Sequence, residues 1–184
     1  MIRRMFVLAA ALALAACQPL AVRDPASPWY VPPTGSRLIL HRTLTIPPNG
    51  VSVWLQAGEV LPHGGVNQFE PWCKFEHRLR VARPLEVVPD TFTVTRVERR
   101  IDLVLGMPAP VRLAALDWSE DGQPSHVTYA TRFHLGSALQ PDVLRLTCGH
   151  LQDPVGNARH LTLAEIRQAL GEVFTLEPAP SSRQ

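Results

Sequence analysis

The chain has 184 residues, of which 46% are apolar and 18% charged, with 18 Lys plus Arg against 16 Asp plus Glu. Arg3 and Arg4 lie in the first sixteen residues, which hold no acid, so residues 17–184 carry 16 charges of each sign and are formally neutral. That balance removes any electrostatic case for nucleic acid as a partner, and the apolar content is that of a folded domain rather than a disordered chain.

The first element is a targeting segment. Arg3 and Arg4 precede an apolar run from Met5 to Leu14, and small residues follow it. A basic start, a short apolar stretch and small residues at a cut describe a secretory signal, and the run is only about half of the roughly twenty residues that a membrane span needs. Leu14-Ala15-Ala16-Cys17 resembles the lipobox of bacterial lipoproteins. The resemblance implies cleavage after residue 16 and a lipid on Cys17, and therefore a protein held at a membrane outside the cytoplasm. Gln18 stands where an Asp would mark retention at the inner membrane, which implies the outer membrane and, for the domain, its periplasmic face. Stable attachment takes about two acyl chains, each buried methylene contributing about 0.8 kcal/mol.

Residues 17–36 carry the lipidated Cys and a proline-rich tether with Pro19, Pro25, Pro28, Pro32 and Pro33. Where such a segment is extended it spans about 3.1 Å per residue, giving a reach of up to about 50 Å. Trp29 and Tyr30 interrupt it and are candidates either for packing onto the domain edge or for contact with a membrane interface or a partner.

A single domain is expected over residues 37–177, followed by a loose tail at 178–184. Its signal is period two, hence β. Leu38, Leu40, Leu44 and Ile46 share a face, Pro47 to Gly50 turn the chain, and Val51, Val53 and Leu55 resume the alternation. Residues 58–65 read as a glycine-bearing loop. Phe69 to Val81 is the clearest strand, with Phe69, Cys73, Phe75, His77, Leu79 and Val81 inward and Glu70, Trp72, Lys74, Glu76, Arg78 and Arg80 outward. Thr91 to Leu105 alternates less cleanly. Residues 106–124 read as loop, and strands follow around Val127 to Leu135 and Val143 to His150. Thr162 and Glu165 frame a capping box that opens a helix ending near Gly171, and Val173 to Leu176 form a short closing strand. The expected fold is mostly β, a sandwich or open barrel of six to eight strands, with one C-terminal helix near 162–171.

Beyond Cys17 two cysteines remain, Cys73 and Cys148, both on the apolar parity of their strands. An even pair in an oxidising compartment predicts one disulfide, which would stabilise by about 4–5 kcal/mol in the chain-entropy model. A redox pair is the alternative, but the Cys-x-x-Cys spacing is missing. Cys73, His77, Cys148 and His150 would make a Cys₂His₂ metal set only with both thiols free, and their spacing follows no usual zinc pattern. Glu76, His77, His150 and Asp153 are the candidates for an acid/base cluster. Neither Gly-x-Ser-x-Gly nor Ser-x-x-Lys is present. No catalytic residue, metal or cofactor is therefore assigned. Arg96, Glu98, Arg99, Arg100 and Asp102 form a mixed-charge strand that protects an edge or meets a polar partner.

Arg42-Thr43-Leu44-Thr45-Ile46-Pro47, Asn67-Gln68-Phe69 with Cys73-Lys74-Phe75-Glu76, and Arg159-His160-Leu161-Thr162 give residues 36–176 a resemblance to uncharacterised lipoproteins of Gram-negative proteobacteria. The resemblance implies no activity. The functional expectation is a non-enzymatic lipoprotein that binds another envelope protein or a cell-wall component. The alternatives are a β domain that binds a small ligand or lipid and, behind it, a periplasmic hydrolase. Trp72, with Lys74, Glu76 and Arg78 beside it, is the first candidate contact, since a tryptophan ringed by charges suits an interface, and Trp29 with Tyr30 is the second.

Overall fold

A computed structural model of the chain describes residues 22–104, 126–153 and 156–180. Cys17, the signal segment and the 106–124 loop lie outside the described residues. The strands are β1 (Arg37–Leu40), β2 (Leu44–Ile46), β3 (Ser52–Gln56), β4 (Glu59–Leu61), β5 (Trp72–His77), β6 (Leu85–Val87), β7 (Asp90–Val104), β8 (His126–Gly136), β9 (Val143–Gln152) and β10 (Phe174–Glu177), and the helix α1 runs from Leu163 to Leu170. The fold is mostly β with one helix near the C-terminus, as expected. Eight strands form one antiparallel sheet in the order β10-β1-β7-β8-β9-β5-β3-β4, while β2 and β6 pair in a separate ribbon. The main sheet thus has eight described strands, within the expected six to eight; β4 lies inside the stretch read as a glycine loop, and the short ribbon strand β6 follows a proline too closely to show a pattern.

The sheet curls until its two ends face each other across the core. Phe75 of β5 lies 5.7 Å from Phe92 of β7 and 5.2 Å from Phe174 of β10, ring centroid to centroid, although other strands separate them along the sheet. α1 closes the gap. It packs on β3 and β5 at one end of the sheet and on β10 at the other, burying Leu163, Ile166, Ala169 and Leu170. The Arg167 guanidinium donates to the Leu176 carbonyl of β10 at 2.9 Å, and the Gly58 amide donates to the Ala169 carbonyl at 3.1 Å. Both polar ends of this closure are therefore bonded, as a buried backbone requires.

The capping box is formed. Thr162 Oγ1 accepts from the Glu165 amide at 3.3 Å, and Glu165 Oε2 accepts from the Thr162 amide at 2.7 Å. Arg159 adds two bonds to the same carboxylate at 2.8 and 2.7 Å. The Arg159 hydrogen bonds hold the Glu165 carboxyl down at about 2, against an ordinary 4.5. A depressed carboxyl stabilises the fold fully above its unfolded value and loses that effect as pH falls. Acid titration of stability should therefore show a loss between pH about 4.5 and about 2 that is smaller in Glu165→Gln, read as a shallower decline of the urea midpoint over that window.

Cys73 and Cys148 face each other directly across β5 and β9, with a Cα–Cα separation of 4.1 Å, and are joined by the expected disulfide. Strand β5 is shorter than its alternation suggests. Pro71 lacks an amide to donate at its start, and a register shift between Glu76 and His77 ends it. Phe69 and Leu79, expected in the core, lie off the strand and are exposed, and His77 is half-buried, its Nδ1 accepting from the Leu79 amide at 3.1 Å.

The N-terminal segment differs from a free tether. Arg99 of β7 donates to the carbonyls of Pro28 and Tyr30, both at 2.7 Å, and the Gly35 amide donates to Val94. Tyr30 packs against the core and Pro32 is buried. From Pro28 onward the segment belongs to the domain, and only the chain before it contributes reach. The C-terminal tail also starts bound, because the Ala179 amide donates to Ser36 Oγ.

Candidate functional site

Antiparallel pairing sorts the side chains of the sheet into two faces. On the outer face Glu76 sits opposite Arg145, which sits opposite His134, which sits opposite Arg96; the adjacent row runs Trp54, Lys74, Thr147, Arg132, Glu98. The Glu76 carboxylate is the hub. It accepts from Arg145 Nε at 2.5 Å, from Lys74 Nζ at 3.0 Å and from Thr147 Oγ1 at 3.2 Å. Burial alone would raise this carboxyl, but the bonds from Arg145 and Lys74 outweigh it and hold it below the ordinary range. The same bond raises Arg145. At neutral pH the cluster is fully ionised and its geometry is fixed by charge-assisted bonds.

A second set of pairs continues across β7 and β8. Glu98 lies 2.8 Å from Arg96 and 3.3 Å from His134, and Asp102 lies 3.6 Å from Arg100 and 3.9 Å from Arg132. Within these pairs five cations (Lys74, Arg96, Arg100, Arg132, Arg145) face three anions (Glu76, Glu98, Asp102); Arg37, Glu177 and Glu59 share the face, which leaves it an excess of one positive charge.

At the rim of this face three rings pack together, Trp72 edge-on to Trp54 and His63 tilted against it. The Trp54 ring is 4.9 Å from Trp72 and 5.0 Å from His63, and Lys74 Nζ stands 5.6 Å from the Trp54 centroid. Trp72 was the leading surface candidate, but it is only 9% exposed and its Nε1 is buried without a hydrogen-bond partner among the described residues. Trp54 lies edge-on against it, and His63 packs in turn on Trp54, so parity chose the right face but not its cover. Glu76 is buried too, Lys74 is half-buried, and Arg78 is exposed beyond the strand end, its amide donating to Asp142. The accessible members of the patch are Trp54, His63 and the cations around Glu76.

The inner face carries the core at one end and a polar group at the other. Arg99, Thr131, Tyr129 and His150 point inward near His160. Burial lowers Arg99, and burial together with the Arg99 charge lowers His160 to about 4. Burial also lowers His150, whose Nε2 has no hydrogen-bond partner among the described residues. Both imidazoles are neutral at neutral pH and serve the interior. The candidate acid/base set does not assemble, because Glu76 points outward from β5 and His150 inward from β9. The candidate metal set is consumed at its sulfurs by the disulfide, and among the described residues no three His, Cys, Asp or Glu side chains are grouped to hold an ion.

Two further surfaces escaped the sequence reading. An open cavity of about 380 Å³ lies at the C-terminal end of α1, lined by Arg42, Ala57, Gly58, Gly171, Glu172 and Val173. Leu79, Val88 and Leu139 are exposed at the β8–β9 turn end of the sheet, where Gln140 bonds both the amide and the carbonyl of Val88. Among the described residues no helix is long and apolar enough to cross a membrane. Comparison of the chain with protein-family models, with curated proteins and with solved structures found no match.

Proposed function

We propose that the chain is a lipoprotein of the outer membrane, anchored through Cys17, whose periplasmic domain acts by binding another envelope protein or cell-wall component rather than by catalysis. The observation that carries this reading is the outer sheet face. Its charged groups are locked by mutual bonds around Glu76, its net charge is positive, and Trp54 lies at its rim with Lys74 over its ring. A preorganised surface of this kind loses little conformational entropy on binding, and arginine with tryptophan supplies strong contacts. The charge excess favours a partner with an acidic surface.

The test is crosslinking in intact cells followed by mass spectrometry. Arg132→Glu and Trp54→Ala, introduced separately, are expected to reduce the crosslinked partner about tenfold, in line with about 1.4 kcal/mol per tenfold. Cys17→Ser is expected to leave an uncleaved or mislocalised precursor. A partner set unchanged by both surface variants contradicts the binding face. Normal cleavage and membrane recovery of Cys17→Ser contradicts the anchor.

A further inference from the structure

We infer that the domain rests on the bilayer through Trp29 and Val31, so that the end of the sheet marked by Arg99 faces lipid and the outer face with the β8–β9 turn points away. The inference deepens the proposed function and rests on its lipid anchor.

Residues 27–30 form a turn closed by the Tyr30 amide on the Ser27 carbonyl, and the chain that follows is pinned to the domain. Arg99 holds the carbonyls of Pro28 and Tyr30, Tyr30 packs on the core and Pro32 is buried. Trp29 and Val31 lie at the intervening positions and are 65% and 40% exposed. Among the described residues no ring contact or side-chain hydrogen bond engages the Trp29 ring; its backbone amide bonds Ser27 Oγ, while the other described tryptophans, Trp54 and Trp72, pack edge to face. Ile101, 55% exposed, follows Arg99 by two residues on the same face of β7 and extends the apolar surface.

Chain length determines what this surface meets. Between Cys17 and Pro28 lie the ten residues 18–27. Fully extended they would span about 35 Å, and the turn from Asp24 to Ser27 shortens that reach. A short tether holds its cargo at an effective concentration in the millimolar range. One tryptophan and one valine are too small a patch to bind a membrane from solution, but a millimolar affinity suffices when the anchor supplies the proximity. Tryptophan is the side chain that best combines an apolar body with a polar edge, and it concentrates at the membrane–water interface for that reason. Gln140 and Asp90, which mark the opposite end, lie nine residues from Arg99 along β7, or about 30 Å away. Docking at Trp29 therefore presents the remaining surface to the periplasm.

The full chain is extracted from membranes and reconstituted in phosphatidylethanolamine–phosphatidylglycerol vesicles, with and without phospholipid brominated in its acyl chains. Bromine quenches nearby tryptophan. Wild-type emission is expected to be quenched, and the quenched fraction is expected to fall about threefold in Trp29→Phe. Equal quenching in wild type and Trp29→Phe, or none in wild type, overturns the docking. Loss of a protein crosslink in Trp29→Phe with unchanged quenching also overturns it and assigns Trp29 to a protein partner. Intact mass, read separately, decides the anchor. If the mass shows no acyl chains, the anchor fails, and the same quenching comparison on that protein coupled through its free Cys17 thiol to a maleimide lipid, which restores the proximity, still decides whether Trp29 meets lipid.

Discussion

Replacing Cys73 and Cys148 together with alanine is expected to lower the unfolding free energy by about 4 kcal/mol. The two residues are 75 positions apart, and a loop of that length loses much chain entropy when closed. The effect falls mainly on the unfolded chain. In the folded protein β5 and β9 are already hydrogen-bonded from Trp72 to His77, so the strands keep their register without the sulfurs. The variant should fold to the same sheet, with a small added loss from the two buried sulfur positions. Urea unfolding with and without reductant measures the difference. Wild type plus reductant should approach the variant, and the urea slope should rise as the freed chain expands. Coincident curves for oxidised and reduced wild type would contradict the prediction.

The disulfide was legible because two facts met in the sequence: a lone even pair of cysteines, and the same apolar parity at both. The helix was legible for a similar reason, since Thr162 and Glu165 signal a start by chemistry that needs no tertiary partner. Strand β7 was only half legible. Phe92 and Val94 face the core, yet Val97 and Arg99 do as well, which breaks the period of two. The structure supplies the cause, a register shift between Val94 and Arg96 that inserts Thr95 as an extra residue. Without that bulge Arg96, Glu98 and Arg100 would point into the core. A bulge leaves no fixed signature in a single sequence, so Arg99 read as one more surface charge. Its real position, turned inward beneath the N-terminal segment, also explains why a proline-rich stretch that reads as free tether lies on the domain instead.

Trp72 illustrates a different limit. Alternation assigns a residue to a face and says nothing about what covers that face. The cover comes from Trp54 on β3, with His63 packed on Trp54 in turn, and it depends on the β3–β4 hairpin, which the sequence concealed. Two-residue hairpin turns want positive φ at both positions, for which Asn-Gly is the strongest signal. Here Gln56 pairs with Glu59, and the turn residues are Ala57 and Gly58, at φ 51° and 81°. Alanine in that conformation is strained, so nothing in its identity announces the turn. The cations that surround Glu76 were likewise invisible as a group, because Arg145 and Thr147 come from β9, about seventy residues away, and only the sheet register brings them beside β5.

Gly171→Ala is expected to destabilise the protein by about 4 kcal/mol, through two roughly equal causes of about 2 kcal/mol each. The first is conformational. Gly171 ends α1 at φ 54° and ψ −136°, a combination that residues with a side chain avoid. The second is steric. A Cβ at this position would collide with the Cα of Gly58 in the β3–β4 turn and lie 3.2 Å from its nitrogen. Both partners of that collision are backbone, so no side-chain rotation relieves it. The contact is where the helix meets one end of the curled sheet, with the Gly58 amide bonded to Ala169, and separating the two elements would break that bond and open the closure. At the neighbouring turn position the sign reverses. Ala57→Gly or Ala57→Asn removes strain at φ 51° and should raise stability by up to about 1 kcal/mol. Urea midpoints of the three variants test both statements at once. A midpoint for Gly171→Ala close to wild type would mean that the helix and the hairpin do not touch as described, whereas opposite shifts at residues 57 and 171 would establish this crossing of two glycines as the latch of the sheet.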